Sequence, residues 1–315
     1  MQRAERERAA PVVVFPELTL SGYPPEDLLL RPSIEVRVEQ ALARICAEMD
    51  GSGYAVIGYP RRENGTLYNV AGVLHRGQVV AEYRKQCLPN YQVFDEKRYF
   101  SAGSEPCVVD IEGVQVGLSI CEDIWEQGPT AQAAAAGAGL MLNINSSPYH
   151  RGKRGERWDK VGARALQAGL PIVYVNQVRG QDELVFDGGS FAVTAGGEVA
   201  AAAPNFEEGE YWLQEDFGEG PTTISGLQVY PPLDELEATW RALVLGVRDY
   251  VDKNRFRGVV LGLSGGIDSA LTLAVAVEAL GAERVEAIMM PFRLSLIHIS
   301  EPTRRRDSSR IPSSA

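Results

Sequence analysis

Gly117-Leu118-Ser119-Ile120-Cys121-Glu122-Asp123-Ile124-Trp125 decides how this chain is read. A mostly apolar run carries Cys121 to the end of a strand, and acidic and turn-forming residues follow at once. A thiol at a strand end, beside polar groups and a helix start, is placed for nucleophilic attack. Two other segments share the pattern. Val12-Val13-Val14-Phe15-Pro16-Glu17 ends an apolar strand in a carboxylate, and Glu82-Tyr83-Arg84-Lys85-Gln86-Cys87-Leu88-Pro89 sets a lysine just past a third strand. Together they supply a base, a cation and a thiol.

Working outward, short apolar runs alternate with helical stretches from Val12 to about Thr194. Period-two and continuous apolar runs predict strands at Val12–Phe15, Ala55–Gly58, Val70–Leu74, Val79–Tyr83, Val108–Ile111, Val114–Ile120, Leu140–Asn145, Ile172–Asn176 and Ser190–Val193. Arg76-Gly77 and Glu112-Gly113 read as hairpin turns. Helices are expected at Ser33–Met49, with Ser33 as N-cap after Pro32, at Thr130–Ala138 and at Gly155–Ala168. Antiparallel pairs mixed with strand–helix–strand units point to a layered α/β or α+β sandwich.

The 315 residues allow one large domain or two ordinary ones, and 45% hydrophobic residues suffice for a core. A net charge of −11 argues against a nucleic-acid footprint and favours small-molecule substrates. The four cysteines form no CxxC pair and there are only three histidines, so a zinc cluster is not expected. No apolar run reaches membrane-spanning length, and the charged helical stretch 1–8 lacks the apolar region of a signal peptide. A reducing, cytoplasmic setting with free thiols is the expectation. Cys46, Cys87, Cys107, His75 and His150 read as structural or surface groups.

Residues Ala201–Gly226, rich in Gly, Pro, Asp and Glu, read as a linker or a wrapping arm. Leu233–Phe256 follows as an amphipathic helix with Leu236, Trp240, Leu243, Val247 and Val251 on one face. Gly258-Val259-Val260-Leu261-Gly262-Leu263-Ser264-Gly265-Gly266-Ile267-Asp268-Ser269 is then a strand, a glycine-rich turn and a helix start. The helix Asp268–Leu280 leads to a strand at Val285–Met290, which opens a βαβ unit. Glycines let the backbone approach oxyanions, and the helix N-terminus adds a favourable dipole. The Gly-Lys-Ser/Thr ending of a Walker loop is absent.

Amide hydrolysis needs a nucleophile, a proton acceptor and a partner for the oxyanion; the last contributes roughly 3–4 kcal/mol in comparable sites. Glu17, Lys85 and Cys121 each stand at or just past a strand end, so strands that end together would converge them. Taken singly, each reads as an ordinary strand-end acid, surface lysine or buried thiol; the joint occurrence carries the chemical reading.

Phe15-Pro16-Glu17 with Gly22-Tyr23-Pro24, Tyr83-Arg84-Lys85 with Leu88-Pro89, and Ile120-Cys121-Glu122-Asp123 resemble the active-site motifs of the nitrilase (carbon–nitrogen hydrolase) superfamily, over roughly Val12–Gln214. The resemblance implies an αββα sandwich, with Glu17 as general base, Lys85 as transition-state stabiliser and Cys121 as a nucleophile that forms a thioester. Glu96 matches a second glutamate that orients or assists the lysine. The Ser264–Ser269 string resembles the loop of ATP pyrophosphatases. It implies the start of a Rossmann-like adenine nucleotide alpha hydrolase domain.

The two halves together, with Ser21–Pro32, Leu88–Phe100 and Ser147–Lys153, resemble the glutamine-dependent NAD⁺ synthetase family over about Pro11–Phe292. That resemblance implies a glutaminase half without a cofactor, feeding ammonia through a tunnel to a half that uses ATP and Mg²⁺ to amidate deamido-NAD⁺. It implies that Tyr91, Ser147 and Lys153 contact L-glutamine. Gly262, Leu263, Ser264, Gly265, Gly266, Ile267, Asp268 and Ser269 would contact ATP, with Asp268 also a candidate Mg²⁺ ligand. It further implies homo-oligomers assembled through the glutaminase domain. The expected organisation is a glutaminase domain at 1–215, a linker at 216–232, the start of the ATP-binding domain at 233–293 and a non-native tail at 294–315.

Two departures from the family pattern set further expectations. Only about ten residues precede Pro11, so a first strand and helix would be missing. From Leu294 the texture turns basic, serine-rich and aperiodic, and Leu294–Arg304 looks like the translation of a transposon-type sequencing adapter. On that reading the chain is a fragment that cannot complete NAD⁺ synthesis. The nearest rival is a stand-alone nitrilase-superfamily amidase acting on a small amide, which leaves Ser264–Ser269 unexplained. A second rival is a catalytically silent fragment. Amplifying the locus from source DNA is expected to give continued α/β coding sequence beyond Arg293; an in-frame stop shortly after Ala315 would overturn the break.

Overall fold

The computed structural model describes residues 12–49, 51–216 and 223–289. The expected N-terminal helical stretch, the tail 294–315 and Met290 lie outside them. The chain divides into two compact units: one holds residues up to 177 together with 187–232, and the other holds 178–186 and the chain from 233 onward.

In the first unit, β1 (Val12–Val14), β2 (Tyr54–Glu63), β3 (Thr66–His75) and β4 (Gln78–Arg84) form one sheet in sequential order. β1 runs parallel to β2, and the rest pair antiparallel. A second sheet contains β5 (Val108–Ile111), β6 (Val114–Ile120), β7 (Leu140–Asn145), β8 (Ile172–Asn176), β11 (Phe191–Val193) and β12 (Val199–Ala202), in the order β12-β11-β8-β7-β6-β5. Its centre, β6-β7-β8, is parallel and its margins are antiparallel.

Alternation along the strands fixes the layers. Leu118, Ile120, Leu140, Leu142 and Ile144 meet Val56, Ala71, Val73 and Tyr83 of the first sheet in one buried cluster. On its other face the second sheet offers Met141, Ile172, Tyr174 and Phe191, packed with residues of two helices, α2 (Gln127–Ala135) and α3 (Lys153–Ala168). Helix α1 (Pro32–Glu48) covers the far face of the first sheet through Val38 and Leu42 on Ala55, Ile57, Tyr59 and Leu74. The result is the expected αββα sandwich. The all-buried β7 is what a central parallel strand with both faces covered requires.

The expected turns are present. Arg76-Gly77 and Glu112-Gly113 both take positive φ at two central residues, as does Asn64-Gly65 between β2 and β3, a signal the sequence reading passed over. Helix α1 starts earlier than expected. Its N-cap is Arg31, not Ser33, with Pro32 at the first helical position, where a missing N–H costs nothing. Helix α2 begins three residues before Thr130, because Pro129 falls in a first turn whose N–H groups have no intrahelical acceptor anyway. The segment 201–226 is not structureless. Ala201 and Ala202 complete β12, Ala202 bridges Val229, and β13 (Gln214–Asp216) pairs antiparallel with β14 (Thr223–Ser225).

In the second unit, α4 (Glu235–Lys253) is capped by Asp234, whose carboxylate accepts from the amides of Leu236 and Glu237, both at 3.0 Å. β15 (Val259–Leu263), α5 (Ile267–Leu280) and β16 (Val285–Met289) then form the expected parallel βαβ unit. Val251, Ala276, Ala279, Leu280 and Val285 supply its buried cluster. The sequence reading missed a hairpin, β9 (Val178–Gln181) and β10 (Leu184–Asp187), that joins this unit. The Gly180 amide donates to Asp249 at 2.7 Å, and Lys253 Nζ donates to the Gly180 carbonyl at 2.6 Å. No helix among the described residues is long and apolar enough to cross a membrane.

Leu118 is 1% exposed between the sheets and Val80 is 46% exposed. Leu118→Ala should lower unfolding free energy by about 2–5 kcal/mol, whereas Val80→Ala should stay within about 0.5 kcal/mol; urea unfolding monitored by tryptophan fluorescence measures both.

Candidate active site

Glu17 reaches the interior because the chain beyond β1 lies directly on β2. A side chain at Gly58 would come within 2.8 Å of the Glu17 backbone, so only glycine permits the crossing. The Phe15 amide donates to Val56 O (2.8 Å) and the Leu20 amide to Gly58 O (3.2 Å), which pins the crossing on either side. Buried Glu17 Oε1 accepts from Lys85 Nζ and Asn69 Nδ2, each at 2.8 Å. Its Oε2 accepts from the Ser146 amide at 2.9 Å, and Ser146 Oγ donates to the Glu17 carbonyl.

Lys85 follows β4. Its amide is held by Asn69 O (2.9 Å), and its carbonyl accepts from the Gly103 amide (2.8 Å). The ammonium has no solvent exposure and bridges Glu17 and Glu96, both at 2.8 Å. Burial alone would depress its pKa; the Glu17 and Glu96 carboxylates outweigh burial and hold it well above the ordinary lysine range. Glu96 opens a short 3₁₀ turn, Glu96–Arg98, and also accepts from Tyr23 Oη at 3.2 Å. Burial, opposed by Lys85 and reinforced by Glu17, pushes its carboxyl up to about 7.

Cys121 ends β6 at the start of the 3₁₀ turn Cys121–Ile124, with φ of 45°. A left-handed non-glycine residue costs about 1–3 kcal/mol and is held only where its surroundings over-determine it. Burial first, then the Glu17 carboxylate, push the thiol well above its ordinary range against the pull of Lys85. All four cysteines are free. Burial and the Asp123 carboxylate push Cys87 up to about 12, which suits a structural thiol. His75 stacks on Tyr54 with ring centroids 3.9 Å apart, and His150 is exposed.

Glu17, Lys85, Glu96 and Cys121 are thus brought into one buried cluster, with each of the other three acting electrostatically on the thiol. Tyr91 is half-exposed and donates to Glu122 at 3.0 Å. Glu122 also feels Lys153, whose ammonium lies 4.1 Å over the Trp125 ring. A cavity of ≈ 680 Å³ opens there, lined by Gln86, Leu88, Tyr91, Lys97, Phe100 and Glu122 among others. Ser147 is buried, its amide donating to Asn176 Oδ1 (2.9 Å) and its carbonyl accepting from Arg157 (2.8 Å). Asn69, Ser146, Glu122, Asp123 and Tyr23 escaped the sequence reading as site residues. Of these, Glu122, Asp123 and Tyr23 sit inside quoted motifs, while Asn69 and Ser146 carry no local signal.

In the second unit, the Ser264-Gly265-Gly266 turn stands between β15 and α5, with Gly265 at φ 86°. The Ser264 and Ser269 hydroxyls lie 3.2 Å apart, and Ser269 Oγ donates to Gly266 O at 2.9 Å. Gly262 and Leu263 close β15, while Ile267 and Asp268 begin α5. No group of three His, Cys, Asp or Glu side chains able to hold a metal occurs among the described residues. Asp268 stands in the first turn of α5.

The carbon–nitrogen hydrolase family profile matches residues 1–215, and the NAD synthase profile matches 239–299. A glutamine-dependent NAD(+) synthetase of Xanthomonas campestris is 49% identical over 294 residues, which are 92% of this chain and 53% of that protein. The chain thus spans about half the length of the curated relatives it matches. The ADP-bound structure of glutamine-dependent NAD+ synthetase from Acinetobacter baumannii aligns with a TM-score of 0.88 at 43% identity, over 94% of this chain and 56% of that one. A mutant amidase of the nitrilase superfamily from Nesterenkonia, carrying the acetamide moiety of fluoroacetamide on its active-site cysteine, aligns with a TM-score of 0.58 at 27% identity, over 64% and 76% of the two chains.

The raised Glu96 carboxyl has a pH consequence. The folded chain keeps this proton to higher pH than the unfolded chain, so its stabilising contribution is full below pH 4.5 and is lost as pH rises through about 7. Thermal melting of wild type and E96Q across this window should show the variant losing less stability with rising pH. Parallel curves would contradict the assignment.

Proposed function

The chain belongs to the carbon–nitrogen hydrolase family, and on that premise we propose that its first unit releases ammonia from the side-chain amide of L-glutamine. We propose further that the second unit begins the synthetase half of a glutamine-dependent NAD⁺ synthetase, in which ATP activates deamido-NAD⁺ for amidation. The observation that carries the reading is the buried Glu17–Lys85–Glu96 cluster around Cys121.

In the proposed reaction, Glu17 takes the Cys121 proton as sulfur attacks the amide carbon. A thiol that resists ionisation suits a transfer concerted with attack, since no exposed thiolate waits in the empty site. The charge that develops on the amide oxygen is met by the Lys85 ammonium, pre-organised by two carboxylates. Glu17 returns its proton to the leaving nitrogen, the C–N bond breaks, and ammonia departs, leaving a Cys121 thioester. Glu17 then deprotonates a water that attacks the thioester; glutamate leaves and sulfur regains its proton. Tyr91, Ser147 and Lys153 bind the amino-acid end of glutamine in this proposal. Tyr91 and Glu122 line the cavity, and Tyr91 by its hydrogen bond and Lys153 by its charge both act on Glu122, which supports the assignment of these two.

In the second unit, the backbone N–H groups of Gly262–Ser269 and the N-terminus of α5 cradle the ATP phosphates. The positive φ of Gly265 and the paired Ser264 and Ser269 hydroxyls support that role. Asp268, in the first turn of α5, would help hold Mg²⁺, which would offset the phosphate charge when bound. Ammonia, ATP and deamido-NAD⁺ would yield NAD⁺, AMP and pyrophosphate. The likeness to relatives named glutamine-dependent NAD(+) synthetase, of which this chain spans about half, supports this part of the reading.

Incubation of the chain with glutamine should release ammonia faster than incubation with short aliphatic amides. C121A should reduce that release at least about a thousandfold. A glutamine-analogue electrophile should mark the Cys121 peptide. Preference for aliphatic amides, or a label on another cysteine, would sink the glutaminase assignment.

A further inference from the structure

The proposed chemistry needs Lys85, which follows a strand of the first sheet, and Cys121, which ends a strand of the second. Core packing brings the sheets together, but packing of apolar side chains is non-directional and does not fix two polar groups to a fraction of an ångström. A directional link is present at the site. Asp123 is fully buried and its carboxylate accepts four hydrogen bonds: Oδ2 from the Ile120 amide at 2.9 Å and Tyr83 Oη at 2.8 Å, and Oδ1 from the Cys87 amide at 2.7 Å and the Gln86 amide at 3.1 Å.

These donors are distributed in a telling way. Ile120 is the last residue of β6, immediately before Cys121. Tyr83 lies on β4, and Gln86 and Cys87 are the two residues after Lys85. One carboxylate therefore holds the backbone on both sides of the gap between the cation and the sulfur. It also closes the turn in which Cys121 keeps its left-handed φ of 45°.

We propose that Asp123 is the positioning residue of this site, fixing the Cys121 turn against the segment that presents Lys85. This inference rests on the roles given above to Lys85 and Cys121, and it assigns Asp123 no contact with substrate. An acceptor with two oxygens is needed, because both of its edges face donors. An asparagine can serve only one edge; its NH₂ group then confronts an N–H of either Ile120 or the Gln86–Cys87 pair. Substitution by asparagine therefore releases one catalytic segment while it preserves side-chain volume.

The test compares wild type, D123N and Y83F as the full chain, with three readouts: the pH dependence of iodoacetamide alkylation at the Cys121 peptide, kcat and KM for glutamine, and thermal melting. D123N should lower kcat roughly 10- to 100-fold, the scale of an ångström-sized misplacement, with KM within about threefold, and should shift the alkylation pH profile. Y83F, which keeps the three backbone donors, should lower kcat by less than about tenfold and shift the profile in the same direction. A folded D123N with wild-type kcat and alkylation profile overturns the proposal. If D123N does not fold, Y83F decides: altered values support the assignment and wild-type values overturn it. A wild-type chain that releases no ammonia from glutamine, while D123N still shifts Cys121 alkylation, would defeat the glutaminase reading and leave the positioning role standing.

Discussion

One ammonium buried between two carboxylates organises the first unit. Removing Lys85 from water is expensive, and its position is tolerable only because Glu17 and Glu96 each stand 2.8 Å away. The same arithmetic of charge explains Glu96. One cation beside two carboxylates leaves an excess negative charge in a buried region, and a proton kept on Glu96 removes it. Breaking such a cluster leaves a bare charge in the interior, so the site and the stability of the fold are linked at these residues.

The sandwich makes that cluster possible by closing it off. Glu17 arrives over Gly58 of the first sheet, Lys85 leaves the end of β4, and Cys121 leaves the end of β6 in the opposing sheet. Each approach uses a local device: a glycine where a backbone crosses a strand, an amide pinned by the Asn69 carbonyl, and a left-handed turn closed by Asp123. Directional hydrogen bonds act at the few points where chemistry needs accuracy. Apolar burial supplies the bulk of the cohesion between them.

The second unit draws on both halves of the sequence. Its helix α4 and βαβ unit follow the first unit in the chain, yet the hairpin 178–186 that clasps α4 comes from within the carbon–nitrogen hydrolase match. Gly180 suits that clasp because a side chain there would press on the Gly246 backbone at 3.1 Å, while Asp249 and Lys253, one turn apart, hold its amide and carbonyl. A boundary drawn from composition alone passes over such an exchange, since nothing in Val178–Phe186 marks which neighbour it will pair with.

The sequence by itself determined what is local. Hydrophobic alternation located every strand of the two sheets except β12, whose Ala201 and Ala202 fell in the stretch read as a linker. Arg76-Gly77 and Glu112-Gly113 announced their turns, Glu17, Lys85 and Cys121 stood at strand ends in three separate motifs, and the glycine-rich turn opened a helix. These are short-range consequences of backbone sterics and side-chain periodicity. Only the tertiary structure decided what meets across the chain: that Asn69 and Ser146 serve Glu17, that Asp123 ties the cysteine turn to the lysine segment, and that a hairpin of one half joins the other. Those partners are 36 to 129 residues apart in the hydrogen bonds concerned. A hydrogen bond acts over about 3 Å of space and carries no trace in the neighbouring sequence of the residue that completes it.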